Sequence, residues 1–162
     1  GYTVGALVVA NPMGSVTTAS GKYFWAAPFE VDGEFGGMGV DPEHANFDGK
    51  QSLKEAAMMV FNAEMSNTTI AIVATDAPLT KTQCHRLAVT AHDGMARAIV
   101  PSHTPLDGDL IFGVSTTNGA VDYNIFRDIS AAAAVCLSRA IARGIYEATS
   151  YADDILPTYR SS

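Results

Sequence analysis

Two short, nearly continuous runs of apolar and β-branched residues constrain the fold of this chain most. They are Tyr2–Ala10 and Thr68–Asp76. Runs of this kind are typical of strands that are covered on both faces. Pro12 follows the first run and Pro78 the second, and proline ends a strand because it cannot donate to the ladder. We therefore expect a sheet with other layers packed against both of its faces.

Capping boxes predict where two helices begin. The Ser52–Glu55 box precedes a helix that we expect to end near residues 66–67, and the Thr80–Gln83 box precedes another. Five residues form an apolar stripe at helical spacing on the second helix: Cys84, Leu87, Ala88, Ala91 and Met95. A strand over 109–116, a hairpin-type turn at 118–119 and an alanine-rich helix over 128–147 complete the pattern. This mixed order predicts an α+β fold of sheet layers packed with helices.

Composition limits the function classes. The chain has 162 residues, enough for one domain, and a net charge of −7, which leaves no basic surface for nucleic acid. It has no apolar run of the roughly 18–20 residues that a membrane helix needs and no signal-peptide pattern at its start. Its two cysteines lie in helix-like stretches, as expected of free thiols in a reducing compartment. We expect a cytoplasmic protein with neither a membrane nor a nucleic-acid partner.

Familiar metal, cofactor and thiol motifs do not account for the sequence. The histidines are His44, His85, His92 and His103, and none falls in a metal-ligand pattern. Cys84 and His85 are neighbours in a predicted helix, so their side chains point in different directions and cannot act together. Gly36–Gly39 is too short for a dinucleotide fingerprint. The sequence predicts no metal site and no cofactor.

One junction has an unusual order of elements. The glycine-rich, acidic segment Val31–Lys50 favours a flexible surface loop, a capped helix follows it, and Ser66–Thr69 then leads directly into a buried strand. Hydroxyl residues at a strand start are most often turn or cap residues. Acidic residues directly before a strand, such as those of Asp107–Asp109, are most often part of a solvated turn. Composition alone therefore favours structural roles for both segments.

Three separated motifs nevertheless resemble those of the nylon-oligomer endohydrolases. They are Val4–Gly14, Asn67–Leu79 and Asp107–Asp109, in the order that the group has them and across nearly all of the chain. That group belongs to a family of self-cleaving N-terminal-nucleophile hydrolases, which also includes L-aminopeptidase/D-esterases and β-peptidyl aminopeptidases. The resemblance implies a four-layered αββα sandwich that works without metal or cofactor.

The resemblance also implies a cleavage site. Carried onto this sequence, the family pattern cuts the chain between Asn67 and Thr68, and Thr68 becomes the nucleophile. Residues 1–67 would then be the end of the large subunit and 68–162 the small subunit, both within one domain over 1–162. A freed α-amine has a pKa near 7.7–8.0, so it can act as the base for the adjacent hydroxyl without a histidine.

The supporting residues follow from the same resemblance. The side-chain amide of Asn11 corresponds to the oxyanion donor, and Asp107 and Asp109 correspond to an acidic pair that orients the amine and hydroxyl of the nucleophile. The large subunit of the family has a further N-terminal portion, which carries a catalytic lysine of the nylon hydrolases, so no lysine of this sequence receives that role. A tetramer of processed protomers is expected.

These expectations favour one function and leave two others open. The favoured function is hydrolysis of 6-aminohexanoate oligomers, and of polyamide by extension, through an N-terminal threonine. An aminopeptidase or β-peptidyl aminopeptidase of the same family is an alternative enzyme. A non-catalytic α/β module that binds a small molecule is the alternative from another class.

Overall fold

The computed structural model describes residues 1–43, 52–61, 67–154 and 156–161. Within these ranges strands and helices follow one another along the chain. They are β1 (Val4–Asn11), α1 (Leu53–Phe61), β2 (Thr68–Thr75), α2 (Lys81–Ala98), β3 (Leu110–Ser115) and α3 (Tyr123–Tyr146), with short 3-10 helices at Ala27–Phe29 and Tyr159–Ser161. The three predicted strands are confirmed, with bounds shifted by one or two residues.

The strands form one mixed sheet in the order β1-β2-β3. β1 runs antiparallel to β2 and places Asn11 opposite Thr68. β3 runs parallel to β2 and places Leu110 opposite Ile70. Because of these directions, the end of β1 and the beginnings of β2 and β3 meet at the same edge of the sheet.

Helices α2 and α3 pack against each other and cover one face of the sheet. The predicted stripe on α2 is confirmed, since Leu87, Ala91 and Met95 are fully buried. The capping box is also confirmed, because Thr80 Oγ1 accepts from Gln83 N at 3.2 Å and the Gln83 side chain accepts from Thr80 N at 3.0 Å. In the described part of the chain, no helix combines the length and apolarity needed to cross a bilayer.

The other face of the sheet is open and apolar. Leu7 is 70% exposed, Val9 71% and Phe112 50%. Further apolar side chains point the same way, namely those of Ile70, Ile72, Leu110 and Val114. The expectation of strands covered on both faces is therefore confirmed for one face, and for the other face, over which the described residues supply no layer, it stays a prediction. Large apolar patches of this kind mark surfaces that pack against another element.

The segment predicted as a flexible surface loop is anchored over its described part, residues 31–43. Phe35 is 1% exposed and meets the Phe24 ring edge-on at 5.3 Å between centroids. Glu34 pairs with Arg139 on α3, and this partner is the main reason that the pKa of the Glu34 carboxyl is lowered. The surface-loop prediction is thus confirmed for 31–43, which has no helix or strand and is mostly exposed, although Phe35 and Asp41 are buried. Residues 44–50 lie outside the described residues, as does the predicted helix end near 66.

Candidate active site

The edge where the three strands meet collects the residues that the motifs singled out. Asn11 is the last residue of β1 and Thr68 the first of β2, and the two are directly opposite each other. Opposed residues of an antiparallel pair place their Cβ atoms about 4.5–5.5 Å apart on the same face, here the open one. Asn67 pairs with Asp107 in the parallel direction, an isolated bridge three residues before the first pair of the β2–β3 ladder, Ile70 and Leu110. Asp109 lies directly before β3.

The carbonyl oxygen of Asn67 accepts two hydrogen bonds. One comes from the hydroxyl of the next residue, Thr68. The other comes from the backbone N–H of Gly108, at 3.1 Å. A hydroxyl bound to the carbonyl that precedes it lies close to that carbonyl's carbon. The junction thus places the Thr68 hydroxyl, a potential nucleophile, beside the Asn67 carbonyl, and the Gly108 N–H polarises that carbonyl.

Asp109 supports the backbone next to Thr68. Its Oδ1 accepts from Thr69 N at 2.9 Å, and its Oδ2 lies 2.7 Å from His103 Nδ1. The carboxylate side chain is only 6% exposed, so these partners compensate for its lost hydration. His103 Nε2 in turn lies 3.2 Å from His92 Nδ1. Burial lowers the pKa of His92, and His103 lowers it further, while Asp109 and Asp93 act in the opposite direction.

Asp107 connects two segments on the other side of Gly108. Its Oδ1 accepts from Met13 N at 2.9 Å, in the turn after β1. Its Oδ2 accepts from the backbone N and hydroxyl of Thr104, at 3.0 and 2.6 Å. The acidic pair was expected to orient the nucleophile's own amine and hydroxyl. In the uncleaved chain the Asp109 carboxylate holds the N–H of Thr69, next to the nucleophile, while the Asp107 carboxylate holds Met13 and Thr104.

Lys54 is a site residue that the sequence did not reveal. It is 9% exposed, whereas its apolar neighbour Leu53 is 73% exposed. Its Nζ donates to Asn11 Oδ1 at 2.6 Å and to the carbonyls of Asn11 and Pro12 at 3.2 Å each. Burial lowers the pKa of the ammonium, and the charge of Asp107 partly offsets this.

The contact between Lys54 and Asn11 fixes which way the amide faces. An ammonium has only donors, so the amide atom beside it must be the oxygen, and the amide NH₂ points elsewhere. Ser52 Oγ holds the start of α1 beside this turn by donating to Met13 O at 2.6 Å. It also accepts from Glu55 N at 3.1 Å, as the predicted cap requires. Asn11 is thereby oriented as a hydrogen-bond donor.

Metal-ligating side chains are not clustered in the described ranges. Among those residues no group of three or more His, Cys, Asp or Glu side chains could hold a metal ion. Cys84 and Cys136 are free thiols, and burial raises the pKa of Cys136. The chemistry that the described side chains offer at the sheet edge therefore comes from hydroxyl, amide, ammonium and carboxylate groups.

A sheet edge that brings together a hydroxyl, an oriented amide and two hydrogen-bonded carboxylates has the composition of a hydrolase site. Comparison with known proteins agrees with this class. The chain belongs to Peptidase family S58, whose model matches residues 1–154. The family-level part of the sequence prediction is thus confirmed.

Two groups of relatives share different amounts of the sequence. An uncharacterized aminopeptidase of Mycobacterium tuberculosis is 37% identical over 172 residues, covering 99% of this chain and 48% of the relative. The 6-aminohexanoate-oligomer endohydrolase of Paenarthrobacter ureafaciens is 31% identical over 111 residues, covering 68% of this chain and 29% of that enzyme. The resemblance to the nylon-oligomer group is therefore real, but it extends over less of the chain than the motifs implied.

A solved structure supports the fold. The PH0078 protein from Pyrococcus horikoshii matches with a TM-score of 0.52 and 24% identity, covering 90% of this chain and 35% of that protein. The chain spans about half the length of the mycobacterial relatives that it matches, 48% in the Mycobacterium tuberculosis protein. The matched region is thus about half, or less, of each of these proteins.

Proposed function

We propose that the protein is an amide hydrolase whose nucleophile is Thr68, freed as an N-terminal residue when the chain cleaves itself between Asn67 and Thr68. One observation carries the proposal: the Thr68 hydroxyl and the Gly108 N–H both donate to the Asn67 carbonyl oxygen. Membership in Peptidase family S58 supports hydrolysis of amide bonds as the chemistry.

Self-cleavage needs only atoms of the chain and one water. Thr68 Oγ1 attacks the carbonyl carbon of Asn67 and forms a tetrahedral intermediate. When this collapses, the C–N bond breaks and the nitrogen takes up a proton in place of the one the hydroxyl has lost, which leaves an ester and a free α-amine. Water then hydrolyses the ester, so that Asn67 ends in a carboxylate and Thr68 keeps both its amine and its hydroxyl.

The freed α-amine then serves as the base for substrate hydrolysis. With a pKa near 7.7–8.0 it is partly neutral around pH 7 and can accept the proton of the adjacent hydroxyl. The Asn11 amide NH₂ donates to the oxyanion, a contribution of about 3–4 kcal/mol for one preorganised donor. Asp109, fixed by Thr69 N and His103, keeps a negative charge next to the α-amine. No metal or cofactor enters these steps.

The proposed enzyme has more layers than the described residues supply. The open apolar face of the sheet, with Leu7 and Val9 more than two-thirds exposed, suits a second sheet packed on it. We propose that the part of the relatives' length that this chain does not match provides that sheet and completes the αββα sandwich. Asn11 and Thr68 lie on the same face, so the substrate cleft would form between the two sheets.

Internal amides of 6-aminohexanoate oligomers are the first candidate substrates. An exo-acting aminopeptidase needs a carboxylate to bind the substrate's free amine. The oxygens of Asp107 and Asp109 already accept hydrogen bonds from Met13, Thr104, Thr69 and His103, which favours a site that does not depend on that amine. The relative from Paenarthrobacter ureafaciens named as a 6-aminohexanoate-oligomer endohydrolase points to the same class.

An aminopeptidase is the second candidate, and sequence similarity favours it. The mycobacterial relatives named aminopeptidases share 37% identity across 99% of the chain. Assays with amine-blocked and free 6-aminohexanoate oligomers, beside short peptides, distinguish the candidates. We expect blocked oligomers to be cleaved, whereas turnover confined to peptides with a free amine would select the aminopeptidase.

Scission of the chain is the direct test of the proposed function. We expect intact-mass measurement and N-terminal sequencing of the purified full-length protein to find a fragment that begins at Thr68 and carries the 95 residues 68–162. The fragment should stay associated, because β2 pairs with β1 along its whole length. Only unprocessed chain in a preparation that hydrolyses amides would contradict the proposal, and unprocessed, inactive protein would favour the binding module.

A further inference from the structure

We infer that Gly108 is a catalytic residue of the self-cleavage step, through its backbone N–H and through the space left by its missing side chain. The inference rests on the proposed function and adds a role for the glycine inside the Asp107–Asp109 motif, of which only the two acids were given roles. It depends on contacts between Gly108, Asn67 and Thr68 that bring residue 108 to the junction across about 40 residues of sequence.

The N–H of Gly108 is aimed at the atom that becomes negative. When Thr68 attacks, the charge of the tetrahedral intermediate forms on the Asn67 oxygen, to which Gly108 N already donates at 3.1 Å. A hydrogen bond to an oxyanion is about twice as strong as one to a neutral carbonyl, so this contact strengthens in the transition state. That change is what accelerates a step rather than merely stabilising the folded chain.

The donor is held in place from both sides. Asp107 is tied to Met13 N and to Thr104, and its backbone pairs with Asn67. Asp109 is tied to Thr69 N. Gly108 lies between these two anchored residues, so its N–H needs no reorganisation when charge develops, which is the condition for a large contribution.

A side chain at 108 would crowd the Thr68 hydroxyl. A Cβ added there would lie 2.9 Å from Thr68 Oγ1, closer than real Cβ contacts, while the next nearest atoms are at 3.9 Å. The backbone gives no other reason, since Gly108 is not among the residues with positive φ. A side chain at 108 would therefore meet the nucleophile first, and either the hydroxyl or the donor would have to move.

Gly108→Ala tests the inference in the full-length protein. We expect self-cleavage, followed by intact mass over time, to slow at least tenfold, because a displaced donor loses part of a contribution worth roughly 10²–10³ in rate. Gly144→Ala, at an exposed position on α3, is the matched control, since a Cβ at Gly144 meets nothing within 4 Å. It should cleave at the unsubstituted rate.

A second measurement separates the contact from a general loss of stability. Thr68→Val keeps a methyl where the hydroxyl was and Thr68→Ala removes it, and neither chain can cleave itself. Adding Gly108→Ala should lower the Tm by roughly 2–8 °C in the valine chain and leave the alanine chain unchanged. Gly113→Ala, whose Cβ would lie 2.1 Å from Cys84 O, should lower the Tm equally in both chains.

Each outcome distinguishes the inference from the function on which it rests. An unsubstituted protein that never cleaves refutes the proposed function and the inference together. If the unsubstituted protein cleaves and Gly108→Ala cleaves at the same rate, only the role of Gly108 is refuted. Equal loss of Tm in the valine and alanine chains would also refute it, because the clash would then lie elsewhere than at Thr68.

Discussion

Replacing Thr68 with alanine is expected to give an intact, inactive chain with an unchanged fold. The substitution removes the hydroxyl that attacks the Asn67 carbonyl and, after cleavage, the substrate. Loss of a nucleophile lowers kcat by up to roughly 10⁶-fold. Thr68 lies at the first residue of β2 on the open face, so the change leaves no buried cavity. Intact mass, amide-hydrolysis assays and the Tm together measure the result.

Thr69→Val is the matched control for that experiment. Thr69 is fully buried, and its hydroxyl has no hydrogen-bond partner among the described residues. Valine keeps the shape and removes an uncompensated polar atom, so we expect unchanged or slightly higher stability, by up to about 1 kcal/mol. The backbone N–H that binds Asp109 remains. A dead Thr69→Val beside an active Thr68→Ala would mean that the nucleophile is misassigned.

The elements that the sequence predicted well are those with a local cause. β2 follows from a run of β-branched residues, and α2 from a capping box whose two hydrogen bonds are both present. α3 begins at Tyr123 rather than at 128, because Asp122 Oδ1 accepts from the N–H groups of Asn124 and Ile125. An aspartate cap without a glutamate three residues later is a weak signal, and it was missed.

Other predictions failed because a local sequence pattern does not specify which segments of the chain pack against each other. Asn118-Gly119 has the composition of a hairpin turn, but the chain continues into α3 and Asn118 pairs with Leu79 in the parallel direction. The glycines of 33–39 suggested a surface loop. The loop is present and mostly exposed, but its positive φ angles also let the chain turn sharply around Phe35, whose burial the pattern did not predict. Glycine and asparagine indicate where a chain bends, but they do not indicate whether the residues at the bend are buried.

The candidate site was likewise predicted only in part. The motifs pointed to Asn11, Thr68 and the acidic pair, and the strand register brings these residues to one edge of the sheet. Lys54 and His103 belong to none of these motifs, and Gly108 lies inside the Asp107–Asp109 motif, which gave it no role. The contacts of Lys54 with Asn11, 43 positions apart, and of Gly108 with Asn67 join distant parts of the chain, and those of His103 with Asp109 and His92 follow no helical or strand period. Only the tertiary structure could reveal them.

Removing the Asn11 amide is the second large expected effect. In Asn11→Ala we expect kcat for amide hydrolysis to fall by about 10²–10³, the scale for one lost oxyanion donor, with KM little changed. The donor interacts with charge that exists only in the transition state, so its removal lowers kcat and leaves substrate binding unchanged. Steady-state kinetics on the processed enzyme measures it. A wild-type kcat would mean that the oxyanion donor lies elsewhere.

Lys54 should act through Asn11, and a double-mutant cycle can establish this. Lys54→Met keeps the aliphatic stem but removes the ammonium that holds Asn11 Oδ1 at 2.6 Å, so the amide loses its fixed direction. We expect kcat to fall roughly ten- to hundredfold, since small misplacements of a catalytic group have effects of this size. In the Asn11→Ala enzyme Lys54→Met should lower kcat no further, because the effects of coupled residues are not additive.

Two further variants serve as controls. Lys54→Arg should restore part of the rate, and Lys81→Met, at an exposed lysine, should have none of these effects. Equal losses from Lys54→Met with and without the Asn11 amide would show that Lys54 serves the site by another route.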